Sequence, residues 1–408
     1  MKILFVANEI PFPPDNGVKI PIYHAMRLMY QAGHKVALAV LTAEAFEVED
    51  RFKAITESFC DGRGFWERVS GQIPGRLRLK ALLRQKLPFV ERYCSAEFRR
   101  KLSELIGEFQ PDVIHFDLVP MAQYWNVTPP RVGAVASIND SYTLILENAL
   151  RAGHFRGFEY VYRKWQYYHT RNYERTVYEK FHQVHVMSEI DKRYLVELNP
   201  VLKVSVIPNG AEDSLFDLTA STCSKSNIIF VATLSGTHLK ALQRFLTQAW
   251  PIIVERDSEI VLHVVGKIGE EARVLKEQYS QYPGIKFTGY VPSLPDVYRM
   301  CGVAIAPIDQ NCGIVNKVIE AMAAGLAVVG FANTFAGIPQ GKAGVHFVQA
   351  TDYRNMGHEI VELLANERRC REIKVAAHEL AKSYYSWSSR GDSYSQMYAS
   401  AAEAARHL

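Results

Sequence analysis

Eleven short apolar runs, each of strand length and each followed by a helical pattern, constrain this chain more than any other feature. Five come first: Ile3 to Ala7, Val36 to Leu41, Val113 to Phe116, Val132 to Ser137 and Gln183 to Met187. Such alternation builds βαβ units and a parallel sheet. The pattern then restarts with Ile228 to Ala232, Ile260 to Val265, Ile285 to Thr288, Val303 to Ala306, Leu326 to Gly330 and Val345 to Val348. Between the two series lie Ile207-Pro208-Asn209-Gly210 and the polar stretch Thr219 to Ser226, which is turn and linker chemistry. The expected organisation is a first domain over 1–206, a linker at 207–226, a second domain over 227–385 and a terminal helix over 386–408. A length of 408 residues exceeds what one hydrophobic core usually supports, which also favours two α/β domains. Ligands of open parallel sheets bind outside the carboxyl ends of the strands, so the chemistry is expected in a cleft between two such sheets.

The net charge of +4 is uneven. Arg63 to Lys101 holds eleven Lys or Arg and three Glu, a local +8, which leaves the rest of the chain at −4. Within this segment Trp66, Ile73, Leu77, Leu79, Leu82, Leu83, Leu87 and Phe89 alternate with Arg76, Arg78, Lys80, Arg84 and Lys86. Two readings fit: a basic helical hairpin (63–101) in peripheral contact with an anionic membrane, or a solvated hairpin. The aromatic residues are not spaced as a stacking platform, so nucleic acid is not an expected partner. No apolar run approaches the ~20 residues of a membrane span, and Met1-Lys2 leads directly into a strand without a signal-peptide pattern. The expected location is cytoplasmic, with the hairpin placing it at the inner face of the membrane on the first reading. Six cysteines lack metal or disulfide spacing, so no metal site is expected.

The stretch from Gly313 to Val329 carries most of the chemistry. Its middle reads as a short helix whose amides at Gly313, Ile314 and Val315 can hold a pyrophosphate, aided by the helix dipole. Asn316, Lys317 and Glu320 project to one side of that helix. Lys317 suits phosphate oxygens and Glu320 suits ribose hydroxyls; the alternative is an ion pair between the two, worth about 0.3–0.5 kcal/mol. Gly325 then stops the helix before a buried strand.

Glu320-Ala-Met-Ala-Ala-Gly-Leu-Ala-Val-Val resembles the glycosyltransferase family-four signature. Ile207 to Glu212 is similar to the crossover of that family, and Val186-Met187-Ser188-Glu189 to one of its strand ends. Lys286 to Val291, followed by Tyr298 to Pro307, extends the resemblance, which runs roughly from Met1 to Trp387. It implies a GT-B fold of two doubly wound, Rossmann-like domains facing across a cleft. It further implies retaining, metal-independent transfer of a sugar from a nucleotide-diphosphate donor, without a cofactor, and a last helix crossing back to the first domain. The acceptor side is then the first domain, and the acceptor a saccharide, a lipid-linked saccharide or a small molecule. Donor contacts follow at Gly17, Lys19, Thr233, Lys240, Gly266, Lys267, Gly289 and Tyr290, besides the helix at Gly313 to Glu320. Two departures stand out. Cys312 occupies the place of a second glutamate, and the family's Arg and Lys after the first strand of the second domain are missing, with Lys240 as a stand-in, so Lys317, Lys240 or Lys267 must meet the phosphate charge. The Gly-Ile-x-Asn-Lys-Val form resembles sugar transferases of bacterial exopolysaccharide loci.

In the first domain a Pro-rich loop, Pro11 to Lys19, leads to a helix with apolar Ile22, Ala25, Met26 and Met29, and Gly17 lets backbone approach a ligand there. His115 and Asp117 end one strand and Asn139-Asp140-Ser141 the next, so His115, Asp117 and Asp140 join Lys317 as candidate catalytic groups. The structural alternatives are a buried strand histidine for His115 and a helix cap for Asp140. A dinucleotide oxidoreductase is excluded because no G-x-G-x-x-G follows either first strand. A non-catalytic nucleotide-sugar-binding or regulatory protein of the same fold is the alternative function.

Overall fold

The computed structural model describes residues 1–70, 86–151, 153, 155–218, 227–282, 284–291, 293–308 and 315–407. Contacts divide the chain into two units, Met1–Pro208 with Arg390–Leu408, and Asn209–Ser389. The first is built on seven parallel strands: β1 Lys2–Ala7, β2 Lys35–Thr42, β3 Gly64–Arg68, β4 Val113–Asp117, β5 Gly133–Asn139, β6 Gln183–Val186 and β7 Val204–Val206. Their order across the sheet is β3-β2-β1-β4-β5-β6-β7. Helices α1 (Lys19–Gln31), α2 (Val48–Phe59), α3 (Ala96–Phe109), α4 (Tyr142–Arg151), α5 (Gly157–Val177) and α6 (Glu189–Leu198) join them. Residues Ile3 to Ala7 of β1 are all buried, as a central parallel strand covered on both faces requires. In α1 the apolar Ile22, Ala25, Met26 and Met29 lie on the buried side, and Gly33 at φ +79° ends the helix. Ser95 starts α3 by accepting the Phe98 amide at 3.1 Å.

The segment read from sequence as a helical hairpin at 63–101 begins as a strand, β3, in register with β2 from Leu38↔Gly64 to Thr42↔Arg68. Gly64 makes this possible, since a Cβ there would lie 2.2 Å from the Leu38 carbonyl oxygen. Arg76, Arg78, Lys80 and Arg84 lie outside the described residues. The described cations of this segment largely have carboxylate partners: Arg63 with Asp61, Lys86 with Glu91, Arg100 with Glu97 and Glu104, and Lys101 with Glu67.

The second unit holds six parallel strands, β8 Asn227–Val231, β9 Val261–Val265, β10 Ile285–Gly289, β11 Val303–Ala306, β12 Ala327–Phe331 and β13 Val348–Ala350, in the order β10-β9-β8-β11-β12-β13. Both sheets reverse direction beside their first strand, between β1 and β4 and between β8 and β11, which is where such sheets bind ligands. Helices α7 (Gly236–Gln248) and α8 (Asn316–Ala323) follow β8 and β11. Within the expected linker at 207–226, the described residues Ala211, Leu215 and Leu218 are buried in the core of the second unit, where their apolar side chains pack under α8. Residues 386–389 belong with them, since the Ala211 amide bonds the Tyr385 carbonyl and the Trp387 amide the Ala211 carbonyl. A Cβ on Gly210 would lie 2.9 Å from the Trp387 nitrogen.

The last helix, α9 (Gly391–Arg406), belongs to the first unit and packs on β4, β5, β6 and α1. Tyr394, Met397, Tyr398, Ala401, Ala402 and Ala405 form its buried side. No helix among the described residues is long and apolar enough to cross a membrane.

Candidate functional site

At the carboxyl edge of the second sheet, backbone bonds draw three strand exits together. The Ala232 amide bonds the Val265 carbonyl, the Leu234 amide the Lys267 carbonyl and the Gly266 amide the Gly289 carbonyl. Thr233, Gly266, Lys267, Gly289 and Tyr290 are therefore neighbours along one rim. Gly266 is fixed by this packing: at φ +132° a Cβ would lie 2.0 Å from the Ala232 oxygen. Gly289, at φ +77°, has nothing within 4 Å of where a Cβ would stand. The Lys267 ammonium lies 5.6 Å from the centroid of the exposed Tyr290 ring. Lys240 stands exposed on α7, and among the described residues neither lysine has a carboxylate partner.

The loop leaving β11 is held by buried Thr334, whose hydroxyl lies 2.8 Å from the Ala306 carbonyl oxygen and 3.0 Å from that of Ile308. It leads to α8. Gly313 and Ile314, and Cys312 before them, lie outside the described residues. Val315 stands at the helix start and has no side-chain acceptor, so among the described residues no side chain caps the first amides. Lys317 donates to both oxygens of Glu320, at 2.9 and 2.8 Å, so the structure shows the ion pair that the spacing left open. The Tyr298 hydroxyl, on a fully buried ring, donates to Glu320 Oε2 at 3.4 Å. Asn316 turns to the crossover, accepting from Asn209 Nδ2 at 2.9 Å. Tyr298 and Asn209 received no role from sequence; the Pro208-Asn209-Gly210 turn was the only local signal for Asn209.

Three candidate site residues of the first unit, Lys19, His115 and Asp117, are buried. Lys19 is buried and ion-paired to Glu44 at 2.9 Å and Asp15 at 3.4 Å, so in this structure it neutralises carboxylates. Arg51 of α2 joins Glu44 at 3.1 Å and bonds the Phe12 carbonyl at 2.6 Å, which clamps the Pro-rich loop. Gly17 has nothing within 4 Å of a would-be Cβ, so its approach side is open. His115 and Asp117 are each 1% exposed, on the sheet face that α9 covers. His115 Nδ1 lies 2.9 Å from the Tyr398 hydroxyl, and burial holds the imidazole neutral with its pKa lowered to about 3. Burial likewise pushes the Asp117 carboxyl well above its usual range. His115 therefore helps to seat the last helix, and Asp117 lies buried beside it, 3.8 Å from His115 Nε2.

Asp140 is half-exposed, and burial followed by the charge of Asp191 raises its pKa to about 6. It is not the cap of α4: Ser141 is, accepting from the Leu144 amide at 3.2 Å while donating to Glu174 at 2.9 Å. Glu174 is fully buried on α5, and burial raises its pKa from 4.5 to about 7 against the bonds from Ser141 and the Thr143 amide. The folded carboxyl thus keeps its proton to about pH 7, whereas the unfolded one releases it near 4.5. Its stabilising contribution is full below the lower value and is lost as pH rises through the upper one. Between pH 5 and 8 that loss amounts to about 2–3 kcal/mol. Glu174→Gln is expected to flatten this decline in urea midpoints measured across the range; an unchanged slope would assign the decline to other groups.

Among the described residues no three His, Cys, Asp or Glu side chains are grouped to hold a metal ion. The family model described as Glycosyl transferases group 1 matches residues 225–366, and that described as Glycosyltransferase Family 4 matches residues 16–215. No curated protein matches the chain by sequence. Among solved structures, HepE of Anabaena in complex with UDP is 15% identical with a TM-score of 0.66, over 98% of this chain and 100% of that one. Sucrose-phosphate synthase of Thermosynechococcus elongatus is 16% identical with a TM-score of 0.66, over 99% and 100%. TarM of S. aureus is 11% identical with a TM-score of 0.65, over 97% and 98%. At such identities the structures speak for the fold alone.

Proposed function

The chain is a group 1 glycosyltransferase of the GT-B fold, and from that premise we propose that it transfers a sugar from a nucleotide-diphosphate donor with retention of configuration and without a metal ion. The observation that carries the donor assignment is the start of α8, where Lys317 and Glu320 stand beside helix amides that no described side chain caps, at the carboxyl edge of a parallel sheet. A diphosphate competes with Glu320 for the Lys317 ammonium. The existing pair contributes only about 0.3–0.5 kcal/mol, so a diphosphate that engages the Lys317 ammonium and the helix amides together displaces Glu320. Glu320, released, accepts the ribose hydroxyls with Tyr298 steadying one oxygen. Lys240 and Lys267 supply further positive charge, and Tyr290 shields one side of Lys267.

The step is a front-side displacement. The anomeric carbon-to-phosphate oxygen bond breaks, the acceptor oxygen bonds the same face, and the acceptor proton passes to the departing diphosphate. Asp140, with its pKa near 6, is the carboxyl suited to hold an acceptor hydroxyl in the first unit. A saccharide is the proposed acceptor, a lipid-linked one the first to try. HepE has been solved with UDP-glucose, which puts UDP sugars first in a donor panel. Thermal melts against UDP, GDP, ADP and dTDP compounds are expected to single out one base, since a ligand at a hundred times its Kd adds about 2.7 kcal/mol. Transfer from the matching radiolabelled donor should persist in excess EDTA. A flat panel would overturn the donor assignment, and EDTA-sensitive transfer the metal-free mechanism.

A further inference from the structure

We propose that the tip of the α4–α5 hairpin is a membrane anchor that docks the enzyme on an anionic lipid surface. The hairpin is seated at one end only. Along α5 the buried residues are Gln166, Thr170 and Glu174, one per turn, and none occurs in the two turns before them. Residues 156–161 are exposed without interruption. There Phe158 is 86% exposed and Val161 61%, three positions apart and so on one side of the helix. Tyr160 and Tyr168 are exposed further along α5, and Ile145 on the neighbouring α4. A soluble surface does not favour a phenylalanine almost wholly in water beside a branched aliphatic residue.

Charge identifies the occupant. From Arg151 to Arg171 the chain carries five Arg or Lys and a single acidic residue, Glu159. Arg163 pairs with Glu159 and stacks on Phe155, while Arg156, Lys164 and Arg171 have no carboxylate partner among the described residues. Exposed aromatic and aliphatic side chains ringed by such cations match the headgroup boundary of an anionic bilayer. A second copy of the chain fits poorly, because a two-fold contact through this face would set like charges against each other. The basic segment at 63–101 is the weaker anchor where it is described, since most of its cations there are already paired. This inference does not depend on which donor the enzyme takes.

The test is co-sedimentation of the full chain with vesicles of phosphatidylglycerol and phosphatidylcholine in equal parts, against phosphatidylcholine alone. Binding only to the anionic vesicles is expected. Phe158→Asp with Val161→Asp should weaken it about tenfold or more, and Arg156→Gln with Lys164→Gln should weaken it and reduce its salt dependence. All four side chains are exposed, so the variants should melt like the parent chain. An environment-sensitive fluorophore on Phe158→Cys should report transfer to an apolar medium when vesicles are added. Unchanged binding in either double variant, equal binding to neutral vesicles, or a silent fluorophore would overturn the proposal. So would light scattering that shows a dimer dissociated by the Phe158→Asp, Val161→Asp pair.

Discussion

Lys317→Ala is expected to lower kcat by about a hundredfold or more while leaving the melting temperature almost unchanged. The two halves of this expectation rest on different observations. Stability is spared because the Lys317 side chain is 40% exposed and its one described partner is Glu320, three residues along the same helix. A pair of that kind contributes little to folding. Turnover suffers because negative charge grows on the leaving diphosphate as the glycosidic bond breaks. A fixed cation at a helix start interacts with that charge more strongly in the transition state than in the bound donor. Glu320→Ala supplies the contrast: it removes a proposed ribose contact, made equally before and during reaction, so KM for the donor should rise with kcat largely kept. Near-normal turnover of Lys317→Ala at saturating donor would reduce the pair to a surface feature and move the phosphate site to Lys240 and Lys267.

The central strands were legible because parallel strands buried on both faces read as unbroken apolar runs, as in Ile3 to Ala7 and Ala327 to Phe331. The edges were not. In β3, Gly-Phe-Trp-Glu-Arg ends in charge and is only half-buried, and β7 is a three-residue Val-Ser-Val, so neither rises above its surroundings. Site residues divided in the same way. The spacing of Lys317 and Glu320 on one helix turn was plain, because it is local. The choice of partner was not, because carboxylate and phosphate satisfy a lysine by the same chemistry. His115 and Asp117 were placed correctly near a strand end, but which face they share is decided by α9, whose Tyr398 lies 283 residues from His115. The ion pair of Lys19 is not legible locally, because Glu44, its partner, arrives from the far end of another strand. Asn209 and Asn316 meet across 107 residues, a distance over which no periodicity carries information.

Gly133→Val is expected to destabilise the first unit by more than about 4 kcal/mol, a large share of the 5–15 kcal/mol typical of a whole domain. Gly133 opens β5 directly beneath α9, and a Cβ there would lie 2.8 Å from the Ala401 carbonyl carbon and 2.9 Å from the Ala402 nitrogen. Both are backbone atoms, so no rotamer change relieves the overlap and the helix itself must rise. Lifting it returns Tyr394, Met397 and Tyr398 to water, at about 1.5–3 kcal/mol for each large side chain uncovered. It also breaks the hydrogen bond between the Tyr398 hydroxyl and His115 Nδ1, worth about 0.5–1.5 kcal/mol. Partial relaxation reduces the sum without cancelling it. Gly107→Ala on α3, where nothing lies within 4 Å of the new methyl, is the control and should melt no lower than the parent chain. A Gly133→Val melt that matches this control, with the chain after Arg390 still resistant to protease, would show that α9 does not depend on close contact with the sheet.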